Sequence, residues 1–273
     1  MTENQKFALI TGATSGIGYE LAKLFAQNQY NLVIVARSEE ELSQKANEFR
    51  QQFGITVVPI VKDLFQKESP FELYDEVKAQ GIEVDVLVNN AGQGQYGEFI
   101  DTDIRRELDI IQLNIAAYTI LTKCFLQEMV ARNEGKILNV SSIAAELPGP
   151  WQAVYHGTKA YVTSFSEGIR SEIKDTGVTI TLLEPGATAT DFFHKAEMES
   201  SKLVQEGELA DPIKVAKDGF DALMAGKDKV VSGFKNKMMA AAGNLMPDSM
   251  VAHQMNKQAE PVDKEQRRAE GQG

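Results

Sequence analysis

Residues 8–25 read ALITGATSGIGYELAKLF, an apolar run that breaks at a turn carrying three glycines and continues as a helix candidate over about 16–29. Gly12, Gly16 and Gly18 fall where a strand hands over to a helix. A glycine turn there lets main chain approach a pyrophosphate closely, and the helix that follows offers its N-terminus to negative charge. The context matters more than the glycines alone, because the required strand precedes the turn and the required helix follows it. The spacing is GxxxGxG rather than GxGxxG.

Outward from this turn, short β-branched runs alternate with helical periodicity as far as residue 233, the pattern of βα units around a parallel sheet. The strand candidates are FALIT, NLVIVA, TVVPIV, VDVLVNN, GKILNVS, VTITLLEP and DKVVSG, seven in all. They are apolar without clean alternation, as strands covered on both faces must be. Helices are expected over about 16–29, 38–53, 66–80, 103–132, 152–175 and 212–226. The expected fold class is α/β: a doubly wound parallel sheet of seven strands with helices on both faces, forming one domain over 1–233. Five of the nine methionines, Met238, Met239, Met246, Met250 and Met255, follow within eighteen residues. Methionine forms adaptable apolar surface, so 234–256 is read as a helical segment packed on the domain or as a lid. The polar stretch 257–273 is expected to be disordered.

Composition excludes several classes of function. The chain has 273 residues, 43% of them hydrophobic, enough for a full-sized core. Its net charge is −11 and no Lys/Arg-rich run occurs, so a nucleic acid partner is not expected. No window approaches a membrane span and no basic-then-apolar leader opens the chain, which predicts a soluble, cytoplasmic protein. Cys124 is the single cysteine. No cysteine-based metal cluster can form, and the three histidines lack ligand spacing, so no metal is expected.

The stretch AVYHGTKA, residues 153–160, places Tyr155 and Lys159 one helical turn apart on one face, with no carboxylate between them. A phenol has an ordinary pKa of about 10, and a useful acid or base near neutrality needs about 3 to 4 kcal/mol of extra stabilisation of the phenolate. A neighbouring ammonium supplies stabilisation of that sign. A carboxylate beside Lys159 would cancel it.

Taken together, TGATSGIG at 11–18, NNAG at 89–92, Asn114, the NVSS run ending at Ser142, YHGTK at 155–159 and PGATAT at 185–190 resemble the short-chain dehydrogenase/reductase family. The interval from Ser142 to Tyr155 also matches that family. The resemblance covers about residues 6–233 and implies a Rossmann sheet of order 3-2-1-4-5-6-7, with hydride transfer to or from a nicotinamide coenzyme. It implies that Tyr155 exchanges the proton, that Ser142 binds the substrate oxygen, that Lys159 bonds the nicotinamide ribose, and that Asn114 joins a water-mediated relay through Lys159. The coenzyme would lie along Gly12, Thr14, Ser15, Gly16, Ile17 and Gly18, then Asp63, Asn89, Ala91 and Gly92. Pro185, Gly186, Thr188 and Thr190 would complete the nicotinamide end. Of the two adjacent asparagines, Asn89 is the expected coenzyme contact.

At the end of the second strand Ala36 takes the position where an NAD-preferring fold carries an acid, and Arg37 follows. Guanidinium pairs well with phosphate, so NADP(H) is the expected coenzyme. Ligands in such sheets bind at the strands' carboxyl ends, which makes Gln93, Tyr96, Ile143, Leu147, Trp151, Phe192 and Phe193 candidate pocket walls. These are mostly apolar and predict a bulky apolar ketone, aldehyde or alcohol as substrate. Two other readings share the motifs: a carrier-type 3-oxoacyl thioester reductase and a dinucleotide-sensing protein without turnover. A homo-oligomer, dimer or tetramer, is implied by the resemblance only.

Overall fold

A computed structural model of the chain describes residues 6–233, 236, 238 and 248–262. Its seven strands are β1 (Phe7–Thr11), β2 (Asn31–Ala36), β3 (Val57–Val61), β4 (Val84–Asn89), β5 (Gly135–Val140), β6 (Val178–Glu184) and β7 (Lys229–Val231). They form one sheet of order β3-β2-β1-β4-β5-β6-β7, and every pairing is parallel. The seven-stranded α/β architecture therefore matches the reading of the sequence. The order reverses beside β1, so the carboxyl ends of β1 and β4 flank a crevice.

The described helices are α1 (Gly16–Gln27), α2 (Glu39–Phe53), α3 (Ser69–Ala79), α4 (Ile104–Ile111), α5 (Tyr118–Ala131), α6 (Ala153–Glu172), α7 (Phe192–Lys195), α8 (Lys202–Gln205), α9 (Pro212–Met224) and α10 (Asp248–Ala259). Successive strand residues face opposite sides of the sheet. Ile10, Ile34, Val86 and Val88 pack under Leu21 and Phe25 of α1, Phe49 of α2 and Phe220 of α9. Leu9, Val33, Val35 and Leu87 pack on the other side under Leu73 and Val77 of α3 and Leu121 and Phe125 of α5. Each such buried side chain stabilises the fold by about 1.5–3 kcal/mol.

Local chemistry sets the helix ends. Ser38 caps α2 by accepting a hydrogen bond from the Glu41 N–H at 3.3 Å, and Glu39, Glu40 and Glu41 complement the helix dipole. Gly54 ends that helix at φ 67°. The third helix starts at Ser69 rather than near 66, because Asp63 first holds a turn through the Phe65 N–H and Pro70 suits the opening turn of the helix.

The single helix expected over 103–132 is broken by a π-helical segment, Gln112–Ala117, between α4 and α5. Nor is this stretch buried all round: Leu113, Ala117, Leu121 and Phe125 are buried, whereas Ile104 and Leu108 on α4 are exposed. Helix α10 packs near α8, with Lys202 bonded to Glu260 at 3.1 Å and a bridge between Ser201 and Pro261. These contacts continue to Val262, whose N–H donates to the Ser200 carbonyl at 3.0 Å. Met239 and Met246 and residues 263–273 lie outside the described residues. Among the described residues no helix is long and apolar enough to cross a membrane.

Candidate active site

A cleft of about 1000 Å³ opens at the carboxyl ends of the strands. One end is built by the turn after β1. Gly12 has φ 67° and Gly16 φ 55°, conformations open to glycine and strained for other residues. A Cβ on Gly18 would collide with the Gly12 carbonyl oxygen and with Asn90 Nδ2, and a Cβ on Gly16 would lie 2.9 Å from Thr190 Cγ2. Close approach of three chain segments therefore requires these glycines. Ser15, the residue preceding α1, makes no capping hydrogen bond with its side chain, and no acidic residue stands in the first turn. The leading N–H groups of α1 are left to a ligand, and their partial positive charge favours an anion.

Farther along the cleft stand Arg37 and Asp63. Arg37 lies after β2, exposed, with its guanidinium carbon 5.1 Å from the centre of the Phe65 ring. Stacking of this kind holds the planar fork in place and leaves its N–H groups free to pair. The Asp63 carboxylate accepts from the Phe65 N–H at 3.3 Å, which fixes the loop carrying that ring.

Ser142, Tyr155 and Lys159 meet at the other end. Ser142 follows β5, and Tyr155 and Lys159 share one face at the start of α6. All three line the cleft. Burial pushes the Tyr155 phenol up to about 12, and the opposite pull of the nearby Ser142 hydroxyl does not offset it. Lys159 donates to the Val140 carbonyl at 2.9 Å, and its Nζ lies 5.8 Å from the centre of the Tyr155 ring. Burial brings Lys159 down to about 7. Burial thus works against the permanent cation that the sequence suggests beside the phenol, and within the chain itself it also favours the protonated form of Tyr155. Both serines line the cleft; the Ser141 Oγ lies 2.8 Å from Thr163 Oγ1 and donates to the Lys159 carbonyl at 3.1 Å, whereas the Ser142 Oγ accepts from the Ala144 N–H at 3.1 Å.

The sequence model of the short chain dehydrogenase family matches residues 6–201. The chain belongs to the short-chain dehydrogenase/reductase family. It is 37% identical over 190 residues to a very-long-chain 3-oxoacyl-CoA reductase of Anas platyrhynchos, covering 67% of this chain and 60% of that protein. The chain thus spans less than two thirds of the length of that relative. Among solved structures it is similar to a short-chain dehydrogenase from Sphingobium yanoikuyae in complex with NADPH, with TM-score 0.78, 26% identity, and 88% and 94% of the two chains covered. The bulky-bulky ketone specific alcohol dehydrogenase from Comamonas testosteroni gives TM-score 0.75 and 26% identity, with 89% and 94% covered.

In this dehydrogenase/reductase chain, Gly12, Thr14, Ser15, Gly16, Ile17, Gly18, Ala91, Gly92, Pro185, Gly186, Thr188 and Thr190 all line the one cleft, together with Arg37 and Asp63. Asn89 does not. It is fully buried at the end of β4, donating to Thr122 Oγ1 at 3.0 Å and to Asn139 Oδ1 at 2.9 Å, which braces α5 against the central strands. Asn90 is the asparagine at the cleft, where its Nδ2 donates to the Thr11 carbonyl at 2.9 Å and pins the glycine turn.

Asn114 also lies behind the wall. Its Oδ1 accepts from the Gln93 N–H at 3.1 Å, while its Nδ2 donates to the Gln93 carbonyl and to Thr158 Oγ1, both at 2.9 Å. Located in the π-helical segment, its side chain positions the loop after β4 against α6. Two expected walls have a different role as well. Trp151 donates to Asn256 Oδ1 at 2.9 Å and stacks on Tyr96, whose hydroxyl bonds the Ala259 carbonyl at 2.6 Å. They hold α10 in place, and α10 supplies Met255 and Ala259 to the cleft.

Lys159 sets up a measurable conflict with stability. Below about pH 7 it is charged in the folded and unfolded chain alike, and the folded chain carries the full cost of burying it. As pH rises from about 7 toward the ordinary lysine value of 10.5, only the unfolded chain stays protonated and the cost is relieved. Lys159→Met removes the charge, and Val140 still has the Tyr118 hydroxyl at 3.3 Å. The variant is expected to be more stable than the parent at pH 6 by about 1–3 kcal/mol, with the gap closing toward pH 10. Denaturant melts at the two pH values test this; a variant less stable at both would contradict it.

Proposed function

We propose that this chain uses NADPH to reduce a bulky apolar ketone or aldehyde to the alcohol, reversibly, with Tyr155 as the proton donor. The observation that carries the reading is that one cleft is lined by the glycine turn and Arg37 and also by Ser142, Tyr155 and Lys159. The coenzyme fits the residues present. The uncapped N-terminus of α1 and the close glycines suit its pyrophosphate, and Arg37 suits a phosphate on the adenosine ribose. The resemblance to a solved family member that holds NADPH supports the same choice.

When bound, the coenzyme supplies a hydride to the carbonyl carbon. Tyr155, held protonated by burial, donates its proton to the carbonyl oxygen, so that hydride and proton together make the alcohol. Ser142 donates a hydrogen bond to the same oxygen as negative charge builds there. Lys159, close behind Tyr155, would bond the nicotinamide ribose, and Thr188 and Thr190 would hold the carboxamide. Phe192, 5.0 Å from the Tyr155 ring, and Met255 and Ala259 of α10 would give the reacting atoms an apolar wall. The relative named for ketones with two bulky groups favours an apolar ketone, and the relative named for 3-oxoacyl-CoA favours a second reading, a 3-oxoacyl thioester as substrate.

Coenzyme absorbance followed with a panel of bulky ketones, aldehydes and acyl thioesters tests the reading: NADPH is consumed, and NADH far more slowly. No consumption with any carbonyl would overturn it. Arg37→Ala is expected to weaken NADPH binding roughly tenfold, the scale of one charge-assisted hydrogen bond, while NADH binding stays within about twofold. Equal losses for both coenzymes would remove Arg37 from the choice between them.

A further inference from the structure

Gln152 stands in the cleft with no part in the reaction described above. It immediately precedes α6, three residues before Tyr155, and is 8% exposed. Its Nε2 is buried with no hydrogen-bond partner. Buried amide N–H groups are almost always paired, and one left unpaired is destabilising unless something else accepts from it.

The surroundings indicate where that acceptor would come from. Gly94 faces the amide, and a Cβ built on it would lie 3.2 Å from Gln152 Nε2, 3.4 Å from Tyr155 Cδ2 and 3.0 Å from Phe192 Cζ. The glycine therefore lets this loop pack closely against both the Tyr155 ring and the Gln152 amide. Asn114 fixes the main chain of Gln93 next to it through two hydrogen bonds, so the loop is not free to shift and pair with Gln152. Gln152 shares the lining of the cleft with Ser142 and Tyr155.

We propose that Gln152 is a specificity-determining residue that donates from Nε2 to a second acceptor on the substrate, next to the carbonyl being reduced. The substrate class that fits is a β-dicarbonyl compound carrying an apolar chain: a 1,3-diketone, a 3-oxo ester or a 3-oxo thioester. An isolated ketone leaves the amide unpaired and is disfavoured. Leu147, Phe193, Met198, Leu203 and Met255 give the chain an apolar wall. This assignment rests on the carbonyl-reductase reading and narrows it.

The test compares decan-2-one, decane-2,4-dione and the N-acetylcysteamine thioester of 3-oxodecanoic acid. Affinity is measured by calorimetry with NADP+ present, which permits no reduction, and kcat/KM is measured with NADPH. Gln152→Leu and Gln152→Glu both remove the donor, and the second keeps the side chain's size if the first fails to fold. Each is expected to lose roughly ten- to a hundredfold in affinity and kcat/KM for the diketone and the thioester, and to stay within about threefold for decan-2-one. A higher kcat/KM for the thioester than for the diketone identifies an acyl thioester as the source of the second acceptor; the reverse identifies a free diketone. Equal losses on all three probes, or none, would overturn the assignment. Absence of NADPH turnover with every carbonyl would instead sink the reductase reading, while the calorimetry still decides whether Gln152 senses the second acceptor.

Discussion

Tyr155→Phe is expected to lower carbonyl reduction by roughly a thousandfold while NADPH affinity stays within about threefold, the scale of losing a positioned general acid. The substitution removes one oxygen and keeps the ring, whose packing against Phe192 at 5.0 Å needs no hydroxyl. Ser142 still offers its hydrogen bond to the carbonyl oxygen, but nothing delivers the proton. The parent protein should also show opposite pH trends in the two directions. Because burial pushes Tyr155 up to about 12 in the chain itself, reduction draws on a form already present at neutral pH, whereas alcohol oxidation needs the phenolate and speeds up as pH rises. Steady-state rates and coenzyme titrations of the variant check the main claim, and a variant retaining a tenth of the parent rate would take Tyr155 out of the chemistry.

Gly18→Ala carries the second large effect. A methyl group there meets the Gly12 carbonyl oxygen and Asn90 Nδ2, neither of which can yield freely. The oxygen is main chain, and the amide is tied to Thr11 and Gly12. Relief requires α1 to back away from the turn, which costs about 1–3 kcal/mol of stability and withdraws the helix N-terminus from the cleft. We expect NADPH affinity to fall by more than tenfold, since several main-chain donors are displaced at once. Thermal melts with and without NADPH measure both parts: the parent gains stability from the coenzyme, and the variant gains little. A variant that melts like the parent and is stabilised equally by NADPH would show that the tight turn is not needed.

What the sequence made legible follows from how local the cause was. The strands were readable because each is a short apolar run between turns, whereas their order, and the meeting of the glycine turn, Ser142, Tyr155 and Lys159 in one cleft, came from the family resemblance. The choice between Asn89 and Asn90 was open to a parity argument. Asn89 continues the face of Leu87, which packs toward α5, whereas Asn90 follows Val88 on the α1 side. The ionisation of Lys159 was not legible, because its position one turn from Tyr155 says nothing of the burial that lowers its pKa to about 7.

Residues acting over long sequence distances were hidden for the same reason. Trp151 and Tyr96 read as apolar pocket walls, yet each has a polar atom that finds α10 more than a hundred residues away. Gln152 carried no signal in the sequence at all: only the burial of its unpaired amide beside Tyr155 singles it out. Glu260 is polar in the sequence, yet it is buried and pairs with Lys202, 58 residues away, which no local pattern carries.

Transfer of label from the coenzyme is the most direct measurement of the central claim, that one cleft brings a nicotinamide and Tyr155 to the same carbonyl. Reduction of a bulky ketone or 3-oxo thioester with NADPH deuterated at the transferring position of the nicotinamide should yield an alcohol carrying one deuterium on the carbinol carbon. Alcohol formed without deuterium from either face of the labelled ring, or coenzyme consumed with no alcohol formed, would contradict the account.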